Sequence, residues 1–315
     1  MKSVLYSTAS VVALITFASA ASAGGGFSGV AQFSIGGGTT ESGAFFIGPS
    51  DPFDNPFVYS GEARGLWPLS PSVHVQVDLF AEQANDVMDD WGDTDESTSI
   101  GGAVHLLHPF ADRARFGLAG SIWGNEVFVP ADSGQVDNTL GLVAVEGQFF
   151  GSDWTLMGQA GVFTSIDCSG GGEGCPFALE DGTFVRGEIK YFLSDNTALS
   201  LEAVQMWGGV DDTFFTGKRA RINSTEWNLG AEHRFEGSSF SAFVGLSHQT
   251  VEANSLLVTS AETTSASIGI KFYLDEASLK SNNRSGAELN TPTFGSAPEQ
   301  AGPLAYGASI PFILP

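Results

Sequence analysis

Apolar and polar residues alternate with a period of two along most of the chain. Across 72–82, Val73, Val75, Val77, Leu79 and Ala81 point one way, and His74, Gln76, Asp78, Phe80 and Glu82 the other. Segment 184–192 repeats this, with Val185, Gly187, Ile189 and Tyr191 against Arg186, Glu188 and Lys190. Segment 226–234 sets Trp227, Leu229 and Ala231 against Glu226, Asn228, Glu232 and Arg234, and 266–274 places Ala266, Ile268, Ile270, Phe272 and Leu274 on one face. This period predicts strands with one apolar and one polar face. Twelve runs show it: 27–36, 57–67, 72–83, 98–109, 114–124, 139–150, 153–164, 182–193, 196–208, 223–235, 239–250 and 262–274. Runs near ten residues suit a tilted strand crossing a bilayer, which needs about 9–11. Globular strands are usually about 5–6.

The connections alternate in length. Ser70-Pro71, Ala111-Asp112-Arg113, Gly151-Ser152, Ser194-Asp195 and Gly237-Ser238 are short, while 37–56, 84–97, 125–138, 165–181, 209–222 and 251–261 are long. The pattern predicts an all-β fold: a single antiparallel transmembrane β-barrel of about 12 strands, with short periplasmic turns and long outer loops. The alternative, a soluble secreted β protein, has no reason to keep its long loops on one side. Trp67, Phe110, Phe116, Phe149, Phe150, Trp154, Tyr191, Phe192, Phe235 and Phe240 flank the short turns, as one interfacial girdle would. Tyr59, Trp123, Phe163, Trp207 and Trp227 lie nearer the long loops and suggest a second.

Composition narrows the function. The 315 residues carry 13 Lys+Arg against 36 Asp+Glu, a net charge of −23, which repels phosphates and excludes nucleic acid as a partner. With 42% hydrophobic and 16% charged residues, this is not a disordered acidic chain. Lys2, an uncharged stretch 4–23 with an apolar centre at 11–15, and Ala21-Ser22-Ala23 before Gly24 predict a signal peptide over 1–23, against an uncleaved anchor. Cys168 and Cys175 are the only cysteines and bracket a Gly-rich stretch. A loop disulfide fits an oxidising compartment, and a metal site would lack nearby His partners.

Taken together, the chain resembles Gram-negative outer-membrane β-barrel proteins of the porin-like kind over 24–274. Such proteins usually end in an alternating strand with an aromatic near its end, and 267–274 resembles that signal. The resemblance implies an outer-membrane location, contact with the lipid bilayer and lipopolysaccharide, and recognition by the outer-membrane assembly machinery. One departure is a tail over 275–315 with Pro292, Pro298, Pro303, Pro311 and Pro315. It reads as irregular, and as either periplasmic or lumenal.

The polar strand faces would line the lumen. They carry Glu62, Arg64, His74, Gln76, Asp78, Glu82, His105, Arg115, Glu146, Gln148, Arg186, Glu188, Lys190, Glu202, Glu226, Glu232, Arg234 and Lys271. Either these border a narrow passage that biases which ions or small hydrophilic solutes cross, or they pair and fill a closed barrel that displays adhesive or structural loops. Pairing Gln83 with Thr98 would gather Arg64, His74, Gln76 and His105 low in the barrel, as a polar cluster or a pH-gated constriction. The acidic stretch 85–96 reads as a solvated loop, because its spacing lacks the calcium-loop pattern. Phe45, Phe46 and Phe53 in the first long connection suggest a loop that folds inward, covers the mouth or meets a partner. No catalytic set is expected. No His-x-Ser occurs, and Ser247 and His248 must point to opposite faces. No cofactor and no metal site are expected.

Overall fold

The computed structural model describes residues 27–42, 57–85, 97–129, 134–169, 178–212, 218–255, 257–274 and 278–290, with Phe294 and Leu304. The expected leader, Phe45, Phe46 and Phe53, acidic residues 86–96 and Cys175 lie outside them.

Twelve strands pair antiparallel in chain order and close when β1 meets β12. They are β1 (Ser28–Ser42), β2 (Phe57–Ser70), β3 (Val73–Asn85), β4 (Ser97–Phe110), β5 (Ala114–Val129), β6 (Gly134–Phe150), β7 (Trp154–Ser169), β8 (Leu179–Ser194), β9 (Thr197–Asp212), β10 (Lys218–Arg234), β11 (Phe240–Asn254) and β12 (Val258–Tyr273). Closure leaves no unpaired sheet edge, which a bilayer would not tolerate. The apolar face of each strand points outward. Ile100, Leu118, Ile122, Val143, Leu229 and Ile268 are each more than half exposed. Such a continuous apolar band is stable against lipid tails rather than water. Among the described residues no helix is long and apolar enough to cross a membrane.

Strands run 13 to 17 residues, longer than the alternation alone predicts. The growth is into the long connections. The predicted connection 209–222 is largely strand, because the ladder continues through Arg219↔Asp211 and Arg221↔Gly209. The Arg219 guanidinium pairs with the Asp181 carboxylate beside it. At about 3.3 Å per residue the strands are about 43–56 Å long, so they project beyond a hydrocarbon layer of about 30 Å. Gly237, at φ +67°, makes the tight turn between β10 and β11 that a side chain would strain.

The aromatic girdles need correction. Phe110, Phe116, Phe149, Trp154, Tyr191, Phe235 and Phe240 do face outward by the short turns, as Tyr59, Trp207 and Trp227 do on the other side. Trp123, Phe163 and Phe192 do not: they are buried at 1%, 2% and 3% exposure. Parity along the strand decides this. Trp123 shares the inward face of β5 with Arg115, and Phe163 shares that of β7 with Gln159.

The tail, expected to be irregular, begins with a helix, α1 (Leu279–Ser285). Ser278 caps it, its hydroxyl accepting from the Ser281 N–H at 3.2 Å. Leu279 is buried with Val30, Phe192, Ala198 and Tyr273. The Lys280 N–H donates to Asp195 O at 3.0 Å, its ammonium lies 2.8 Å from Asp153, and Arg284 donates to Gly151 O and Ser152 O. The helix therefore bridges two adjacent short turns. Beyond it, the described residues 286–290, Phe294 and Leu304 lie inside the barrel. Ala287 and Leu289 pack with Leu66, Leu107 and Met157, and Phe294 and Leu304 join the largest interior apolar cluster.

Candidate functional site

The inward parity carries Glu62, Arg64, His74, Gln76, Asp78, His105, Arg115, Glu146, Arg186, Glu188, Lys190, Glu202, Glu232, Arg234 and Lys271. Many are linked in one belt. His105 on β4 donates from Nε2 to Asp78 Oδ2 and from Nδ1 to Glu146, both at 3.0 Å. Carboxylates only accept, so a ring bonded at both nitrogens to carboxylates carries both protons and is an imidazolium. Gln159 donates to Glu146 at 2.9 Å, and Arg186 donates to Gln159 Oε1 at 3.2 Å. Arg186 also pairs with Glu202, which accepts from Asn228 at 3.0 Å, and Asn228 reaches Glu226 at 2.9 Å. The belt thus crosses from β3 to β10. It skips β5, whose inward residues there are Gly117 and Ala119. A Cβ on Gly117 would stand 3.2 Å from Glu146 Oε1 and 2.6 Å from Leu106 O. Only small residues at these positions let His105 reach Glu146.

Gln83 does face Thr98, and Gln76 faces His105 across the β3–β4 ladder. Arg64, however, turns to Glu62 at 2.6 Å, and His105 engages the two acids. The cluster expected from four residues is therefore centred on Asp78 and Glu146 instead. A second group sits nearer the short turns. Glu232 accepts from Lys271 at 2.8 Å, from Ser241 at 2.6 Å and from the Tyr273 hydroxyl at 2.6 Å, and Arg234 lies over the Tyr273 ring at 4.8 Å.

The tail rests on this wall. Gln76 donates to Leu289 O at 2.6 Å, Gln159 and Arg186 to Asn290 O at 3.2 and 2.7 Å, and Arg115 to Gly286 O at 3.1 Å. Lys190 meets Glu288 at 3.1 Å. Further along, Gln249 donates to Phe294 O and Thr259 to Leu304 O, both at 2.8 Å. The Phe294 ring enters a socket of Trp123, Phe163 and Phe184, with centroids 5.6, 5.0 and 5.2 Å away. Phe294 is the one non-glycine residue at positive φ (+59°) among the described residues, a conformation the socket must hold at a cost of about 1–2 kcal/mol.

The described part of the tail leaves room in the lumen. Two polar cavities of about 230 and 260 Å³ remain between it and the wall of β1–β5 and β8–β12. Both touch Gln32, Glu62, Glu202, Asn228 and Asn290, so they adjoin. They are lined by seven carboxylates (Glu62, Glu82, Glu188, Glu202, Glu226, Glu232, Glu288) and four cations (Arg64, Arg186, Lys190, Lys271). Ser247 faces inward, 2.5 Å from Ser265, while His248 faces outward, 2.9 Å from Thr264. Among the described residues no group of three or more His, Cys, Asp or Glu has the geometry to hold a metal ion.

No protein-family model matches the chain. No curated protein matches it either. Solved structures do. A COG4313 outer-membrane channel from Pseudomonas putida F1 aligns at 12% identity and TM-score 0.52, covering 78% of this chain and 95% of that one. The translocator domain of autotransporter NalP from Neisseria meningitidis aligns at 15% identity and TM-score 0.47, covering 86% and 97%. The KdgM porin aligns at 7% identity and TM-score 0.41, covering 76% and 98%. At such identities the likeness is one of architecture, and the architecture is that of an outer-membrane β-barrel protein.

Proposed function

We propose that this protein is a porin-like outer-membrane channel, and not an enzyme, through which small hydrophilic solutes or ions diffuse passively beside the lumenal tail. The observation that carries the reading is the pair of adjoining polar cavities along one side of the tail. Each is several times the roughly 30 Å³ a liquid water occupies, which sets the scale of what passes. The excess of carboxylates over cations along it favours cations. The second reading, a closed barrel that displays its loops, draws on the seated Phe294 and the belt-to-tail hydrogen bonds.

Single-channel current in a planar bilayer tests this, using refolded residues 24–315 under a salt gradient. The expected result is small discrete steps with a reversal potential on the cation side. Protein that shows heat-modifiable gel mobility but passes no current would refute the channel and leave the closed barrel. The outer membrane and lipopolysaccharide are the surroundings this proposal assigns, and the leader and the Cys168–Cys175 disulfide belong with it.

A further inference from the structure

The two lumenal cavities do not take their charge from the same part of the chain. In the one nearer the short turns, every acid supplied by the wall has a wall cation of its own. Glu62 pairs with Arg64 at 2.6 Å, Glu232 with Lys271 at 2.8 Å, Glu202 with Arg186, and Glu188 with Lys190 at 4.0 Å. The remaining acid is Glu288, and it belongs to the tail. It meets Lys190 at 3.1 Å, closer than Glu188 does. The wall of that cavity is therefore balanced, and the surplus negative charge is carried in by the tail. Arg115 also feels Glu288, but it lines neither cavity and turns its N–H groups to Gly286 O and Arg284 O. The Glu288 side chain is only 3% exposed, and a charge so enclosed is screened by salt much less than a solvated one. Asn290, two residues on, lines both cavities, so the tail forms one side of the passage.

We propose that Glu288 is a selectivity-determining residue: the tail is a wall of the passage, and its carboxylate gives the cavity at the short-turn end its preference for cations. This rests on the channel reading and deepens it. A tail that served only as an obstruction would need no ion here. Its neighbour Leu289 fills space among Leu66, Leu107 and Met157 without one, and apolar residues commonly replace buried ion pairs at no loss of stability.

The test compares the full-length protein with Glu288→Gln, Glu288→Lys and Lys190→Met in a planar bilayer under a KCl gradient, with heat-modifiable mobility as the check on folding. Glu288→Gln keeps the size and an oxygen for Lys190 and loses the charge. The ratio of cation to anion permeability should fall about threefold, and Glu288→Lys should carry it to the anion side. Lys190→Met should raise it. The opposite signs separate a charge role from anchoring, because breaking the ion pair from either side would loosen the tail alike. A second measurement needs no current. Asn290→Cys in detergent micelles is treated with a cationic and an anionic methanethiosulfonate reagent, with wild type as the blank for Cys168 and Cys175. Two residues span at most about 7 Å, and one unit charge at that distance in water with 0.1 M salt favours the cationic reagent about threefold, relative to free cysteine. Adding Glu288→Gln should remove the preference.

Conduction with an unchanged permeability ratio in Glu288→Gln overturns the proposal and leaves the channel standing. Shifts of the same sign in Glu288→Gln and Lys190→Met overturn it as well. If folded protein passes no current, the channel falls and the labelling decides Glu288. A preference that disappears with the carboxylate keeps Glu288 as the residue that chooses which charge enters. A ratio indifferent to Glu288, or no labelling at all, overturns the proposal.

Discussion

Replacing His105 by leucine removes the cation between two carboxylates whose side chains are fully buried. At 3.0 Å each attraction is worth about 5 kcal/mol at an effective permittivity of about 20, before the cost of desolvating the three groups. Net, stripping one partner from a buried ionic group costs about 3–5 kcal/mol. Gln76 donates to Asp78 at 2.7 Å and Gln159 to Glu146 at 2.9 Å, and these bonds hold the lower end of that range. The expected loss is therefore about 3 kcal/mol at neutral pH. Equilibrium urea unfolding in micelles, read by tryptophan fluorescence with gel mobility as a control, measures it. The triple change His105→Leu, Asp78→Leu, Glu146→Leu should recover most of the stability. A single mutant within about 1 kcal/mol of wild type, or a triple mutant no more stable than the single one, would refute the ionic account.

Other outcomes follow from neighbouring features. Gly117→Val drives a Cβ against Leu106 O and crowds Glu146, so it should destabilise by about 1–3 kcal/mol, while Gly120→Ala, with only Leu142 O near at 3.8 Å, should be nearly neutral in the same assay. Hydrogen bonding from Lys280 and Ser152 holds the Asp153 carboxyl below the usual carboxylate range. A lowered carboxylate stabilises above its free value, about 3.9, and loses that contribution as pH falls through the lowered one. Pepsin, which is active in that range, should therefore cleave beside Leu279 faster as pH falls, before the barrel's heat-modifiable mobility is lost, and Asp153→Asn should show no such acid step. Glu226→Gln with Glu82→Gln should move the reversal potential toward zero; an unchanged potential would place the ion path elsewhere. Mass spectrometry of unreduced peptides should find Cys168 joined to Cys175.

The strands and their inward faces were legible because period-two alternation is a local property, and one face must meet lipid. The inward parity of Gln76, Arg186 and Glu232 came from the same rule. Trp123 and Phe163 face inward rather than joining a girdle because parity, not nearness to a long loop, sets the side: Arg115 and Trp123 stand an even number of residues apart. The bridge from His105 to Glu146 was not legible. It spans a strand, and depends on Gly117 and Ala119 leaving room, which no single run of residues reveals. The tail's path was hidden for another reason. Main-chain carbonyls hold it, and every sequence has those. Phe294, between prolines 292 and 298, stands in no periodic run that would mark it as an anchor.

The seam between β1 and β12 also sets an order of events. Thirteen residue pairs join these strands, from Val30↔Tyr273 to Ser42↔Ala261, and the tail follows β12 directly. The wall that grips Leu289 and Phe294 is drawn from β2 through β11, so it exists only after those strands have paired. Seating of the tail is thus a step that follows wall formation, with its own rate and its own free energy. A single cooperative transition should not describe this chain. Melting ought to begin with the loss of the lumenal segment from a barrel that is still whole, and refolding ought to pass through an empty cylinder on its way to a filled one.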